Sequence, residues 1–395
     1  MADDIVLAGA VRTAVGTLGG VFAGVHPARL GAIAAAEALK RAGIEPAQVD
    51  ELLFGNVIEG GQGMNMARQV AIEAGIPVEA TAATINQACA SGLRTVAMAA
   101  QQIALGDSRV VVAGGTESMS TAPYILRKAR FGYRMGNGEL VDSMISDGLT
   151  CAIERYHMGI TAENVAAEMG ITREEQDRFA AESQAKAAAA MESGRFKDEI
   201  VPVEVPQAKG PALVVDRDEH PRPGTTLEKL ANLKPAFKED GTVTAGNASG
   251  INDAAAAVVV MSATTARELG VRPQARIVGY AWAGVAPRVM GLGPVPAIRK
   301  VLEKSGLKLS DIDLIELNEA FAAQSLGVIK QLDLDRSRVN VNGGAIALGH
   351  PLGASGARIL VTLMHELAKR GGRYGLATLC VGGGQGIAMI VENLA

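Results

Sequence analysis

The chain is predicted to fold as a duplicated α/β protein, with a five-layered α-β-α-β-α core and an inserted loop domain. Two internal matches and one shift in composition carry this prediction. The stretch Cys89-Ala90-Ser91-Gly92 has a counterpart 264 residues on, Gly353-Ala354-Ser355-Gly356. Upstream of each, Leu39, Gly43, Val49, Asp50 and Leu52 fall opposite Leu302, Gly306, Ile312, Asp313 and Ile315 at an offset of 263 residues. Between these halves, residues 121–246 are richer in charge, Tyr, Phe and Pro than the flanks, as expected of an insertion.

Each half opens with a predicted helix, over about 30–42 and about 296–305, that ends at a glycine turn and leads into a short strand. Each motif then reads as a tight turn entering a buried helix. The apolar stripe is Leu93, Val96, Ala97, Ala100, Ile103 and Ala104 in the first copy. In the second it is Ala357, Leu360, Val361, Met364, Leu367 and Ala368. Strands over 110–113 and 376–381 follow. Strands alternating with buried helices imply layered α/β architecture. Within the insertion, a helix over about 172–193 is opened by a capping box of Thr172 and Glu175 and closed at Gly194. Residues 201–224 read as loops and edge strands. The run 245–250, Ala-Gly-Asn-Ala-Ser-Gly, reads equally as a ligand loop or a plain turn where the chain re-enters the core.

Composition narrows the function. The chain has 395 residues, 48% of them hydrophobic and only 3% aromatic, so Ala, Val, Leu and Gly must fill a large core. A net charge of -4 gives no basic footprint for nucleic acid, although local Lys and Arg remain free to meet a phosphorylated ligand. The longest apolar run, 254–261, is too short to span a bilayer. The acidic start lacks the basic region of a signal peptide. Three scattered cysteines make neither a disulfide framework nor a metal site. These features describe a reduced, cytoplasmic protein.

Four stretches carry candidate chemistry. Cys89 stands at the amino end of a helix, where free amides and the dipole favour a thiolate; the alternative is a small buried cysteine. His350 lies in Gly349-His350-Pro351-Leu352-Gly353, three residues before the second motif, and is otherwise a structural histidine. In 379–386, a second thiol, Cys380, precedes glycines whose exposed amides suit an oxyanion. Asn318-Glu319-Ala320-Phe321 follows the apolar strand 312–317, at a strand end where α/β ligands gather, or serves as a turn or cap. Nothing surrounds Cys151, which reads as core.

Taken together and in this order, the motifs resemble the thiolase family over the whole chain. The resemblance implies the duplicated thiolase fold, with an amino-terminal core domain of about 1–120 plus 247–272, a loop domain of about 121–246, and a carboxy-terminal core domain of about 273–395. It also implies reversible Claisen chemistry on coenzyme A thioesters. Cys89 would be the nucleophile, His350 its base, and Cys380 the second acid/base. Asn318, through a water, and His350 would hold the enolate oxygen, while the amides of Cys89 and Gly382 would hold the tetrahedral oxyanion. His157, Met158, Met290 and Phe321 would line the acyl and pantetheine tunnel, Ser249 would meet the pantetheine, and Arg222 the nucleotide end. Lys229 stands where the short-chain branch often has a small polar residue, and would instead meet a phosphate. The pair His157-Met158 resembles the acetoacetyl-CoA branch, which implies an acetyl-CoA acetyltransferase. CoA and acetyl-CoA would be substrates, with no permanently bound cofactor, and the assembly would be a homodimer or homotetramer. A degradative 3-ketoacyl-CoA thiolase of β-oxidation would share every catalytic residue. A ketoacyl-carrier-protein synthase would lack Cys380, and a non-catalytic relative would lack Cys89 or His350.

Overall fold

The computed structural model describes residues 3–395. The first half contributes β1 (Ile5–Thr13), α1 (Pro27–Ala42), β2 (Glu51–Gly55), α2 (Met66–Glu73), β3 (Thr81–Ile85), α3 (Ser91–Leu105) and β4 (Val110–Ser118). The inserted stretch contains α4 (Met158–Met169) and α5 (Arg173–Glu192), and the chain returns through β5 (Asn252–Ser262). The second half contributes β6 (Ala275–Gly284), α6 (Pro294–Ser305), β7 (Leu314–Leu317), α7 (Ala322–Leu332), α8 (Leu352–Arg370), β8 (Tyr374–Val381) and β9 (Gln385–Asn393).

The pairings repeat between halves. β2–β4 is parallel and β4–β5–β1 antiparallel; β7–β8 is parallel and β8–β9–β6 antiparallel. The counterpart of β3 shrinks to a single parallel bridge, Ile315 to Val339. One feature departs from two separate stacked sheets. β1 pairs with β6 through Val6–Arg276 and Leu7–Ala275, so both half-sheets join into one continuous sheet. α1 and α2 cover its first half, α6 its second, and α3 packs on α8 between them.

At that central contact the duplication has a physical cause. A β-carbon on Gly92 would lie 2.8 Å from the Ala357 amide nitrogen, and one on Gly356 would run into the Leu93 amide. Gly92 and Gly356 are the matched glycines of the two motifs, so each helix clears the other's backbone at the pseudo-twofold axis. Close-packed interiors leave no room to relax such a clash. The matched serines also do parallel work. Ser91 accepts from the Gln87 amide at 2.9 Å and donates to the Ala88 carbonyl at 2.7 Å, while Ser355 ties His350 and Pro351.

The apolar stripes hold except at their matched last members, Ala104 and Ala368, which are exposed in the final helical turns. The second motif is not a turn: α8 already begins at Leu352, and the turn lies at Gly349–Pro351. Pro351 cannot donate a backbone hydrogen bond and sits naturally at the cap, so the helix starts before the Ser-Gly pair. The capping box of α5 forms as expected, with the Thr172 amide donating to Glu175 at 2.7 Å and the Glu175 amide to Thr172 Oγ1 at 3.2 Å. Among the described residues, no helix is long and apolar enough to cross a membrane.

Candidate active site

The four candidate motifs come from different elements. Cys89 immediately precedes α3, Asn318 follows β7, His350 ends the turn before α8, and Cys380 and Gly382 close β8. Two contacts bind the cysteine loops across the halves. Gln87 Nε2 donates to Gln385 Oε1 at 3.0 Å, and the Gly382 amide faces the Cys89 sulfur. A β-carbon on Gly382 would lie 3.7 Å from Met158 Sδ and 3.8 Å from Ala88 Cβ, placing both residues beside the glycine turn.

The imidazole of His350 is held on three sides. Its amide donates to Asn252 Oδ1 at 2.9 Å, Nδ1 lies 2.6 Å from Ser355 Oγ, and Nε2 lies 3.4 Å from Asn318 Nδ2. The Ser355 hydroxyl has the Pro351 carbonyl 2.8 Å away as an acceptor. Its hydrogen goes there, and its lone pair faces an Nδ1–H. With its hydrogen on Nδ1, the ring keeps a free lone pair on Nε2, a tautomer assigned from this network; Asn318 Nδ2 lies 3.5 Å from Nδ1 and 3.4 Å from Nε2, over the ring and off that lone pair. Burial chiefly, aided by the nearby Arg358 charge, lowers the His350 pKa to about 3, so the ring is a neutral base at physiological pH. Among the described residues, Asn318 Oδ1 is buried without a hydrogen-bond partner.

The expected thiolate bias at Cys89 is reversed. Burial pushes its pKa up to about 11, and the Glu117 charge adds to this, while the Gly382 amide opposes it. Although Cys89 keeps some exposure, its sulfur is dominated by surrounding protein. The helix start gives little help because its amides are taken: Ala90, Ser91 and Leu93 donate to the carbonyls of Gln87, Ala88 and Ala90. Cys89 therefore rests as a neutral thiol and His350 as a neutral imidazole. Cys380, fully buried, is also pushed up, first by burial and then by the charge on Cys89; that second cause places the two sulfurs within electrostatic reach. Cys151 packs in the apolar cluster that also holds Met158 and Cys380, and its sulfur accepts the Glu154 amide at 3.4 Å.

A cavity of about 440 Å³ reaches His350 and is also lined by His157, Arg222, Ser249 and Phe321. Met158 and Met290 are buried in the cluster that holds Cys380 and Phe321 and do not line the open cavity. Lys229 lines an adjoining cavity of about 290 Å³ with Arg222, and its ammonium donates to the Gly224 carbonyl at 2.9 Å. The loop bearing Ser249 is clamped to the Asn318 motif, since the Ser249 amide donates to the Ala320 carbonyl and the Ala322 amide to the Asn247 carbonyl. Ala245, Ala248, Ser249 and Gly250 of the 245–250 run thereby line the cavity.

Several residues escaped the sequence reading. Phe237 stacks on His157 at 4.6 Å between centroids and meets Phe321 edge-on at 6.2 Å, building an aromatic wall of the cavity. Glu117, buried at the end of β4, accepts from Asn56 Nδ2 and from the amides of Val57, Ile58 and Gly353. It thereby ties the first half to the start of α8. Ser355 was visible as half of a repeated motif, but its bond to His350 was not. Neither Phe237 nor Glu117 stands in any motif, and only their contacts reveal them.

Comparison with known proteins agrees with this geometry. Residues 5–264 match the thiolase N-terminal domain and residues 271–393 the thiolase C-terminal domain. A protein of Syntrophomonas wolfei subsp. wolfei named acetyl-CoA acetyltransferase is 60% identical over the full length of both chains. One of the same name from Pseudomonas aeruginosa is 58% identical over 99% of this chain and 100% of its own. The crystal structure of the Bacillus anthracis acetyl-CoA acetyltransferase superposes with a TM-score of 0.97 at 51% identity, covering 99% of each chain. That of human mitochondrial 3-ketoacyl-CoA thiolase gives 0.96 at 46% identity, covering 100% of this chain and 99% of the other. A duplicated core, cysteine loops tied across its two halves, and near-complete coverage at this identity lead to one conclusion: the chain belongs to the thiolase family.

Proposed function

We propose that this thiolase is an acetyl-CoA acetyltransferase, interconverting two molecules of acetyl-CoA with acetoacetyl-CoA and CoA through an acyl-Cys89 intermediate. In thiolysis, His350 Nε2 takes the Cys89 proton and the sulfur attacks the 3-keto carbon. The bond between C2 and C3 breaks, and Cys380 gives its proton to C2 so that acetyl-CoA leaves. Free CoA then takes the acyl group from Cys89. The amides of Cys89 and Gly382 hold the tetrahedral oxyanion, while His350 and a water on Asn318 hold the enolate oxygen.

The observation that carries this reading is a neutral imidazole of fixed tautomer at His350 together with a thiol at Cys89 that burial keeps protonated. Such a pair forms the charged nucleophile only as the proton moves, which suits an acyl acceptor that must avoid side reactions when empty. Mass spectrometry after mixing with acetyl-CoA tests it: an acetyl adduct on Cys89 is expected, and an adduct only on Cys151 or Cys380 would overturn the assignment.

Short-chain preference is supported by Met158 against the Gly382 turn and by the Phe237–Phe321 wall. A pocket side chain discriminates by about 1–3 kcal/mol per methylene. Lys229 favours a second reading, a degradative 3-ketoacyl-CoA thiolase, and thiolysis rates across 3-oxoacyl-CoAs from C4 to C16 separate the two. A maximum at C4 is expected. We further read the chain as the two core domains and loop domain outlined from its sequence, working in the cytoplasm as a homodimer or homotetramer.

A further inference from the structure

Two histidines on the cavity wall have opposite hydrogen-bonding character. His157 Nδ1 accepts the Gly159 amide at 3.0 Å, so the neutral ring carries its hydrogen on Nε2 and offers a donor. His220 Nδ1 lies 2.9 Å from the Ala347 carbonyl, which can only accept. Its hydrogen is committed there, and Nε2 keeps a lone pair. Both rings are kept neutral by burial, and Arg222 adds to that effect at His220. Among the described residues, His220 Nε2 has no hydrogen-bond partner in the protein. His220 is buried, yet it lines both the cavity reaching His350 and the adjoining one that holds Arg222 and Lys229. Gly250, next to Ser249, leaves space for this ring: a β-carbon there would stand 2.6 Å from His220 Cδ2 and closer still to Nε2.

Resting on the acyl-CoA reading above, we propose that His220 is a substrate-positioning residue whose Nε2 accepts a hydrogen bond from the pantetheine amide farther from the sulfur. The thioester must reach Cys89 and His350, and the phosphates suit Arg222 and Lys229. The wall shared by the two cavities therefore meets the nucleotide side of the arm. A buried amide N–H needs an acceptor, because leaving it unmade costs more than the bond contributes. A donor histidine and an acceptor histidine together match the two ends of an amide.

The test compares the wild type with His220→Leu and His220→Gln on three thioesters: acetoacetyl-CoA, acetoacetyl-pantetheine and acetoacetyl-N-acetylcysteamine, which lacks the farther amide. For His220→Leu, KM should rise about tenfold on the first two and less than about twofold on the third, with kcat changing little; His220→Gln, which retains an acceptor, should recover part of the loss. Equal KM changes on all three, or none, would overturn the proposal. Should His220→Leu not fold, a crystal structure of the wild type with CoA decides: the nitrogen of the farther amide within about 3.3 Å of Nε2 supports it, and one beyond about 4 Å refutes it. Failure of the wild type to cleave acetoacetyl-CoA would instead count against the activity itself.

Discussion

Ser355→Ala isolates what the second motif contributes to chemistry. Ser355 Oγ accepts from His350 Nδ1 at 2.6 Å and donates to Pro351 at 2.8 Å, fully buried. In the resting enzyme this is a neutral hydrogen bond, so its loss costs about 1 kcal/mol of stability, with somewhat more for the orphaned Nδ1–H. When His350 takes the thiol proton, the same bond becomes charge-assisted and is worth about 1.5–3 kcal/mol. Only the difference, about 0.5–2 kcal/mol, acts on the barrier, so removing the bond should lower kcat about two- to thirtyfold, with KM nearly unchanged, because the bond strengthens only as the proton transfers. Steady-state thiolysis of acetoacetyl-CoA measures the split, and a melting curve shows that the fold persists. A folded variant with kcat equal to or above that of the wild type would refute the assigned tautomer and with it the route of the proton.

Cys380→Ser should still acquire an acetyl group on Cys89 from acetyl-CoA, yet lose deuterium exchange at the C2 methyl; exchange at the wild-type rate would show that another base acts on the carbon. Gly356→Ala should destabilise by about 1–3 kcal/mol in denaturant titration, because its methyl enters the Leu93 backbone. Helix propensity alone would stabilise the same substitution by about 1 kcal/mol, so a stabilised variant would show that the helices do not cross there. Glu117→Gln removes a buried negative charge that raises the Cys89 pKa, so the pH midpoint for alkylation of Cys89 should fall from the wild-type value. A midpoint that stays or rises would remove Glu117 from the site's electrostatics. Glu117 itself is pushed up to about 7, chiefly by burial and against the pull of its amide donors. A carboxyl raised in the fold contributes stability below its unfolded pKa near 4.5 and loses it as pH rises through about 7. Wild-type stability should therefore decline between pH 5 and 8 more than that of Glu117→Gln.

The duplication, both motif helices, the capped helix of the insertion and the positions of Cys89, Asn318, His350 and Cys380 were legible in the sequence because each leaves a local signal. Helical periodicity, glycine punctuation and a repeated motif depend only on neighbours along the chain. Electrostatic state was not legible in the same way. The helix-start position of Cys89 argued for a thiolate, but desolvation by residues far away in sequence outweighed a dipole whose amides were already bonded. The joining of the half-sheets through β1 and β6, the Phe237 wall, and the placement of Glu117 and His220 likewise rest on contacts between distant segments that no motif encodes. What the sequence determined alone was which residues recur and which elements they start. Only the tertiary structure decided which atoms meet, how deeply they are buried and therefore which proton each one holds, because burial and hydrogen bonding are properties of the surroundings and not of the residue.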